Sequence, residues 1–280
     1  MPQIIRRNAT AHGAPIVPAG KGIAELCFFQ LLRLEPGVSA EVEVPGYETV
    51  FVVLSGKADI RVGSQDFPSV GVRKDIWAGR ADSVYAGTGS AVRVRADASG
   101  AEVAVAGGRT SGKFAPFRIA PDDIDVVEVG SLSTHSNRRI FHILGQKAAG
   151  RAGNLLVSEL YAAPGCWSGY PPHKHDTERP PFETDFQEIY HYRFRPEAGF
   201  GTQICYQEDG TSVAAMTRHG DTFIVDRGYH PTGTSPGHEG YIFTILVGRH
   251  QRSLIQFFDP NHEHLMKSIP GIQAMRDKFK

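Results

Sequence analysis

Long apolar runs are missing from this 280-residue chain, so no stretch reads as a helix able to span a bilayer. An excess of either charge is missing too. Lys+Arg and Asp+Glu balance at 30 each, which removes any bulk attraction to nucleic acid or an anionic membrane. Cysteine is scarce: Cys27, Cys166 and Cys205 are scattered and give neither a disulfide framework nor a CxxC metal site. They read as small buried thiols in a reducing cytosol. The opening stretch MPQIIRRNATAHGAP carries charge but no apolar core, so it reads as a floppy lead-in without a secretory signal, and the expected location is cytoplasmic. Extended helical periodicity is also lacking. The best helix candidate is the short terminal run Ile272–Phe279.

What the chain does have is glycine (31) and proline (18), spread between short β-rich runs at 25–31, 49–54, 57–62 and 91–95. The last two alternate polar and apolar residues, as half-buried strands do. Turn signals recur at the spacing of a sandwich or barrel. Residues 47–63 read as strand, turn at 54–57, strand. Residues 188–210 repeat that order, with the turn at 196–199. The fold class expected is therefore all-β, in two barrel halves. The domains are placed at 1–115 and 116–280, with a seam of small and polar residues at 107–113.

Histidine is the other surplus, with twelve, many of them between residues 173 and 264. His173 and His175 sit one residue apart, so on a strand both point to one face. Glu188 follows, opening the strand-like run Glu188-Ile189-Tyr190-His191-Tyr192, and His230 stands beside a turn in Arg227-Gly228-Tyr229-His230-Pro231. Three imidazoles and a carboxylate form a plausible transition-metal set. Glu178 and Glu183 are rival carboxylates, but they lie in a proline-interrupted stretch that cannot be a central strand. Tyr190 and Tyr192 share the Glu188 face, where they serve either as barrel packing or as phenols at the site. His191, His219, His238, His250, His262 and His264 read as surface or rim residues. Lys174, Asp176 and Arg193 are expected on the opposite faces of their strands, in structural roles.

Several segments carry a family resemblance: YPPHKHD at 170–176, Glu188-Ile189-Tyr190, Gly199-Phe200, RGYHP at 227–231, Asp259-Pro260-Asn261-His262 and, in the first half, VLSGKAD at 53–59. Together they resemble the cupins, and among them the 5-deoxy-glucuronate isomerase family, related to the 5-keto-4-deoxyuronate isomerases. The resemblance implies a bicupin, two double-stranded β-helix (jelly-roll) barrels in one chain. It implies a divalent transition metal (Zn, or Mn, Fe or Ni) on His173, His175, Glu188 and His230 of the second barrel, and a first barrel without metal. The implied reaction is aldose–ketose isomerisation of a sugar acid, 5-deoxy-D-glucuronate to 5-dehydro-2-deoxy-D-gluconate, in myo-inositol catabolism. Tyr190 and Tyr192 are then the candidate proton carriers. Gln203 is the candidate partner of a substrate hydroxyl, and Arg227 of the substrate carboxylate. The chain departs from the family pattern at Asp226 and at His191-Tyr192. A non-catalytic sugar-binding cupin is therefore an alternative, as is an Fe(II) dioxygenase on the same ligands. Open β-edges suggest a homo-oligomer.

Overall fold

The computed structural model describes residues 3–11 and 13–279. It is all-β. A first strand, β1 (Gln3–Ile5), is followed by seven that build one antiparallel sheet: β2 (Cys27–Leu34), β3 (Ser39–Val42), β4 (Tyr47–Val62), β5 (Gln65–Val70), β6 (Asp82–Ala86), β7 (Val92–Arg109) and β8 (Phe117–Ile119). The order is β2-β7-β4-β6-β8, with β3 on β7 and β5 on β4. The rest of the chain supplies β9 (Asp125–Val129), β10 (Arg138–Leu144), β11 (Leu155–Ala162), β12 (Trp167–Ser168), β13 (His173–Lys174), β14 (Phe186–Arg195), β15 (Phe200–Tyr206), β16 (Ser212–Arg218), β17 (Thr222–Val225), β18 (Thr232–Thr234), β19 (Glu239–Gly248) and β20 (Phe257–Phe258). These form a sheet of order β1-β17-β14-β19-β11-β10-β9, a second of order β12-β18-β15-β16, and the pair β13-β20. Two short helices close the chain, α1 (Leu265–Ser268) and α2 (Ile272–Phe279). Among the described residues no helix is long and apolar enough to cross a membrane.

Residues 50–54 of β4 are apolar at every position because the strand is buried on both faces. Phe51 and Val53 fill the interior of the first sheet system with Val94, Val103 and Val105. Val50, Val52 and Leu54 point the other way, into a core shared with Leu155, Ile189, Phe243 and Ile245 of the second half. The two halves thus pack back to back through their large sheets, and each keeps its own apolar interior.

Three expectations need correction. The turn read at 54–57 is no turn: β4 continues through it, with register shifts against β7 on either side of Ser55 and Gly56. Gly56 is there because the chain takes φ +76°, and a Cβ would lie 2.1 Å from the Gly100 carbonyl oxygen. The flexible seam read at 107–113 begins inside β7. Gly107 and Gly108 are small for close approach, not for freedom, since a Cβ on Gly108 would lie 2.8 Å from Leu155 Cβ. β8 then returns to pair with β6, so the first sheet runs past residue 115. The lead-in, lastly, holds a strand. β1 pairs with β17, with Gln3 opposite Ile224, and covers that edge, while Met1, Pro2 and His12 lie outside the described residues. The turn at 196–199 does form, closed by a Gly199 N–H bond to the Pro196 carbonyl at 2.9 Å. The terminal helix also forms, with Ile272 and Met275 buried.

Candidate metal centre

Strand alternation builds one wall of the site. On β14, Glu188, Tyr190 and Tyr192 point into the second half's interior, while Ile189 faces the shared core. His191 follows Ile189, so its placement at the surface is corrected. It is 2% exposed, packs on the Phe29 ring at 5.1 Å and meets Thr222 Oγ1 through Nδ1 at 3.0 Å. Burial, then the charge of Arg193, holds its pKa well below the usual imidazole value.

The HxH segment lies between two neighbours. The Phe186 N–H donates to the His175 carbonyl at 2.8 Å, and the His230 N–H donates to that of His173 at 3.3 Å. Formal pairing is with β20, where His173 opposes Phe258, so β14 is reached through a single backbone bond. Flanking charges clamp the segment. Lys174 Nζ contacts Asp176 Oδ1 at 2.8 Å and Glu183 Oε1 at 3.0 Å, and Asp176 Oδ2 accepts from the Gly228 N–H at 2.7 Å. The rival carboxylates are used up in this framework. Glu183 holds Lys174 and Arg179, and Glu178 accepts from the Asp185 N–H, so neither reaches the histidines.

His173, His175 and His230 converge with their ligand nitrogens within 4.8 Å of one another, all buried. Among the described residues no such group is found away from this cluster. Each Nδ1 faces a backbone carbonyl: Pro171 at 3.2 Å, Phe186 at 3.1 Å and Gly228 at 2.8 Å. A carbonyl only accepts, so each Nδ1 carries the proton and each Nε2 turns a lone pair inward. Glu188 Oε2 lies 3.0 Å from His175 Nε2 and 3.3 Å from His230 Nε2, and the latter atom is buried without a hydrogen bond. Lone pairs facing a carboxylate at that distance repel unless a cation, either a proton or a metal ion, sits among them. Three carbonyl-anchored imidazoles and one carboxylate are what a first-row divalent metal takes. Burial pushes the Glu188 pKa up, but its contacts with His175 and His230 outweigh that and bring it down to about 2.

Tyr190, Glu188 and His173 line a small cavity of about 50 Å³, together with Arg138, Ser168 and Gln256. This is far below the several hundred Å³ of a typical small-molecule site, so lining side chains such as Met275 must give way to admit a substrate. Burial and the Glu188 charge keep the Tyr190 phenol protonated, well above its ordinary pKa. Tyr192 points the same way along the strand, but its hydroxyl donates to Gln203 Oε1 at 2.5 Å. Gln203 is spent at both ends, since its Nε2 also donates to the His230 carbonyl at 3.0 Å. Arg227 is not brought to this cavity. Its side chain is 64% exposed, 3.8 Å from Asp226, and lines an outer cleft beyond Lys174. Arg138 and Gln256 were missed by sequence reasoning. Gln256 Nε2 donates to His173 Nε2 at 2.8 Å, from a run that carries no family motif.

An all-β chain with an imidazole and carboxylate cluster inside a strand-lined interior has the architecture of a cupin. Within that class, the chain belongs to the KduI/IolB family, whose sequence profile matches residues 4–265. It is 31% identical over 242 residues to a 5-deoxy-glucuronate isomerase of Listeria monocytogenes serotype 4a (strain HCC23), covering 85% of this chain and 87% of the relative. A 5-deoxy-glucuronate isomerase of Geobacillus thermodenitrificans (strain NG80-2) is 32% identical over 263 residues, covering 93% of each. Among solved structures, an IolB-like protein from Salmonella typhimurium LT2 superposes with TM-score 0.85 at 26% identity, covering 94% of this chain and 98% of that one. Oxalate decarboxylase from Bacillus subtilis shares the fold alone, with TM-score 0.61 at 12% identity, covering 92% and 79%.

Proposed function

We propose that the protein is a metal-dependent aldose–ketose isomerase converting 5-deoxy-D-glucuronate to 5-dehydro-2-deoxy-D-gluconate. The observation that carries this reading is the convergence of the His173, His175 and His230 ligand nitrogens within 4.8 Å of one another, with Glu188 against two of them and a buried phenol beside them. The relatives named 5-deoxy-glucuronate isomerase support the substrate. In this reading His173, His175, His230 and Glu188 hold a divalent transition metal, and the second half, from β9 onward, is the metal-bearing barrel of a bicupin. The first half has no comparable cluster among its described residues.

The reaction takes a proton from the carbon beside the aldehyde and returns one to the aldehyde carbon. Bound metal supplies Lewis-acid stabilisation of the two oxygens that gain charge. Tyr190 is the phenol that lines the cavity, placed to exchange a proton with a substrate oxygen. Tyr192 and Gln203 support His230 from behind instead of touching substrate. Burial excludes water and keeps these contacts strong. The test is His175→Ala. Metal content, read by mass spectrometry, should fall, with turnover of the sugar acid down by more than about 100-fold. Full turnover in that variant sinks the reading, as does substrate-dependent oxygen uptake in place of ketose.

A further inference from the structure

We propose that Arg138 is the residue that recognises the substrate carboxylate. This rests on the reading of the cavity as a sugar-acid site. Arg138 is 2% exposed, among the largest fully buried side chains of the molecule. Not every arginine held out of water has a carboxylate partner: Arg73 pairs with Glu159 and Arg193 with Glu102, whereas Arg252 is held by the backbone carbonyls of Leu144, Gly145, Gly153 and Leu155. Arg138 has no carboxylate partner among the described residues. Its Nη1 donates to the Ser136 carbonyl at 2.9 Å and its Nη2 to the Tyr170 carbonyl at 2.7 Å. A buried guanidinium without a counter-ion is costly, and an incoming carboxylate removes that cost.

The same cavity is lined by Arg138 and by Glu188, His173 and Tyr190, so a single sugar acid admitted by displacement of lining side chains such as Met275 would meet the cluster through its aldehyde end and Arg138 through its acid end. Two further atoms point to a ligand. Ser168 Oγ and Gln256 Oε1 belong to residues lining this cavity, and both are buried without a hydrogen-bond partner. Guanidinium and carboxylate match as a two-pronged pair, which an exposed arginine such as Arg227 offers only in competition with water. Burial lowers the Arg138 pKa to about 10, which leaves it cationic at neutral pH.

The experiment compares two unreactive probes on the metal-loaded full-length protein. One is the C1 alcohol of 5-deoxy-D-glucuronate, which keeps the carboxylate. The other is the same molecule with the carboxylate also reduced to an alcohol. Calorimetry on Arg138→Met should show the acid probe weakened by about 30-fold and the neutral probe nearly unchanged, with metal content retained. Arg138→Lys should fall between wild type and Arg138→Met for the acid probe. Equal weakening of both probes overturns the assignment and marks Arg138 as a clamp on the Tyr170 carbonyl. Undiminished acid binding overturns it too, as does a wild type that does not prefer the acid probe. Should Arg138→Met fail to fold, Arg138→Lys carries the same comparison alone. A wild type that prefers the acid probe through Arg138 but forms no ketose removes the isomerase reading and leaves the carboxylate site standing.

Discussion

Tyr190 and Tyr192 stand two residues apart on one face of β14, yet their hydroxyls have different work. Tyr190 lines the cavity beside Glu188, and Tyr192 is bonded to Gln203. Tyr190→Phe should therefore lower kcat by about 100-fold or more with metal retained. Tyr192→Phe should cost about 1 kcal/mol of stability in urea unfolding, with little change in rate. The reverse pattern would exchange their roles. The four clustered residues could be read from the sequence because HxH, a strand-leading glutamate and a histidine at a turn each carry local spacing. Arg138 and Gln256 could not. Their approach to the site depends on β10 lying beside β11 and β20 beside β13, pairings that no local pattern encodes. Gln203 and Arg227 mislead for the same reason, since what a side chain meets across the fold decides its role.

At the scale of elements, alternation identified the strands but not their joints. The run at 54–57 has turn composition, and β4 nevertheless passes through it, because pairing with β7 on both sides outweighs local preference. Glycines at 107 and 108 carry the same ambiguity. The composition of a linker is also the composition of a tight sheet-to-sheet contact, and the structure shows the second. Gly108→Val should accordingly destabilise the protein by about 1–3 kcal/mol, read as a shift of the urea midpoint. A neutral effect would mean the sheets do not meet there as closely as the Leu155 and Val247 contacts require.

Across the whole molecule, the halves are joined by buried polar links as well as by the apolar core. Glu48 accepts from the Leu155 N–H at 2.9 Å, Arg73 meets Glu159 at 2.5 Å, and Arg193 meets Glu102 at 2.7 Å. Burial raises the Glu102 pKa, but attraction to Arg193 and Arg33 outweighs it, and the net shift is downward. A depressed carboxylate stabilises the fold above its unfolded pKa of about 4.3 and loses that contribution as pH falls through its lower folded value. Glu102→Gln should thus lose about 3 kcal/mol at neutral pH and show a flatter decline in stability below about pH 4 than wild type. Parallel acid profiles would remove Glu102 from the link. The isomerase reading is tested most directly by incubating metal-loaded protein with 5-deoxy-D-glucuronate in deuterated water and following the product by NMR. It predicts the ketose, with deuterium on the new hydroxymethyl carbon, and loss of turnover when the metal is stripped. Absence of ketose, or undiminished turnover after stripping, would contradict it.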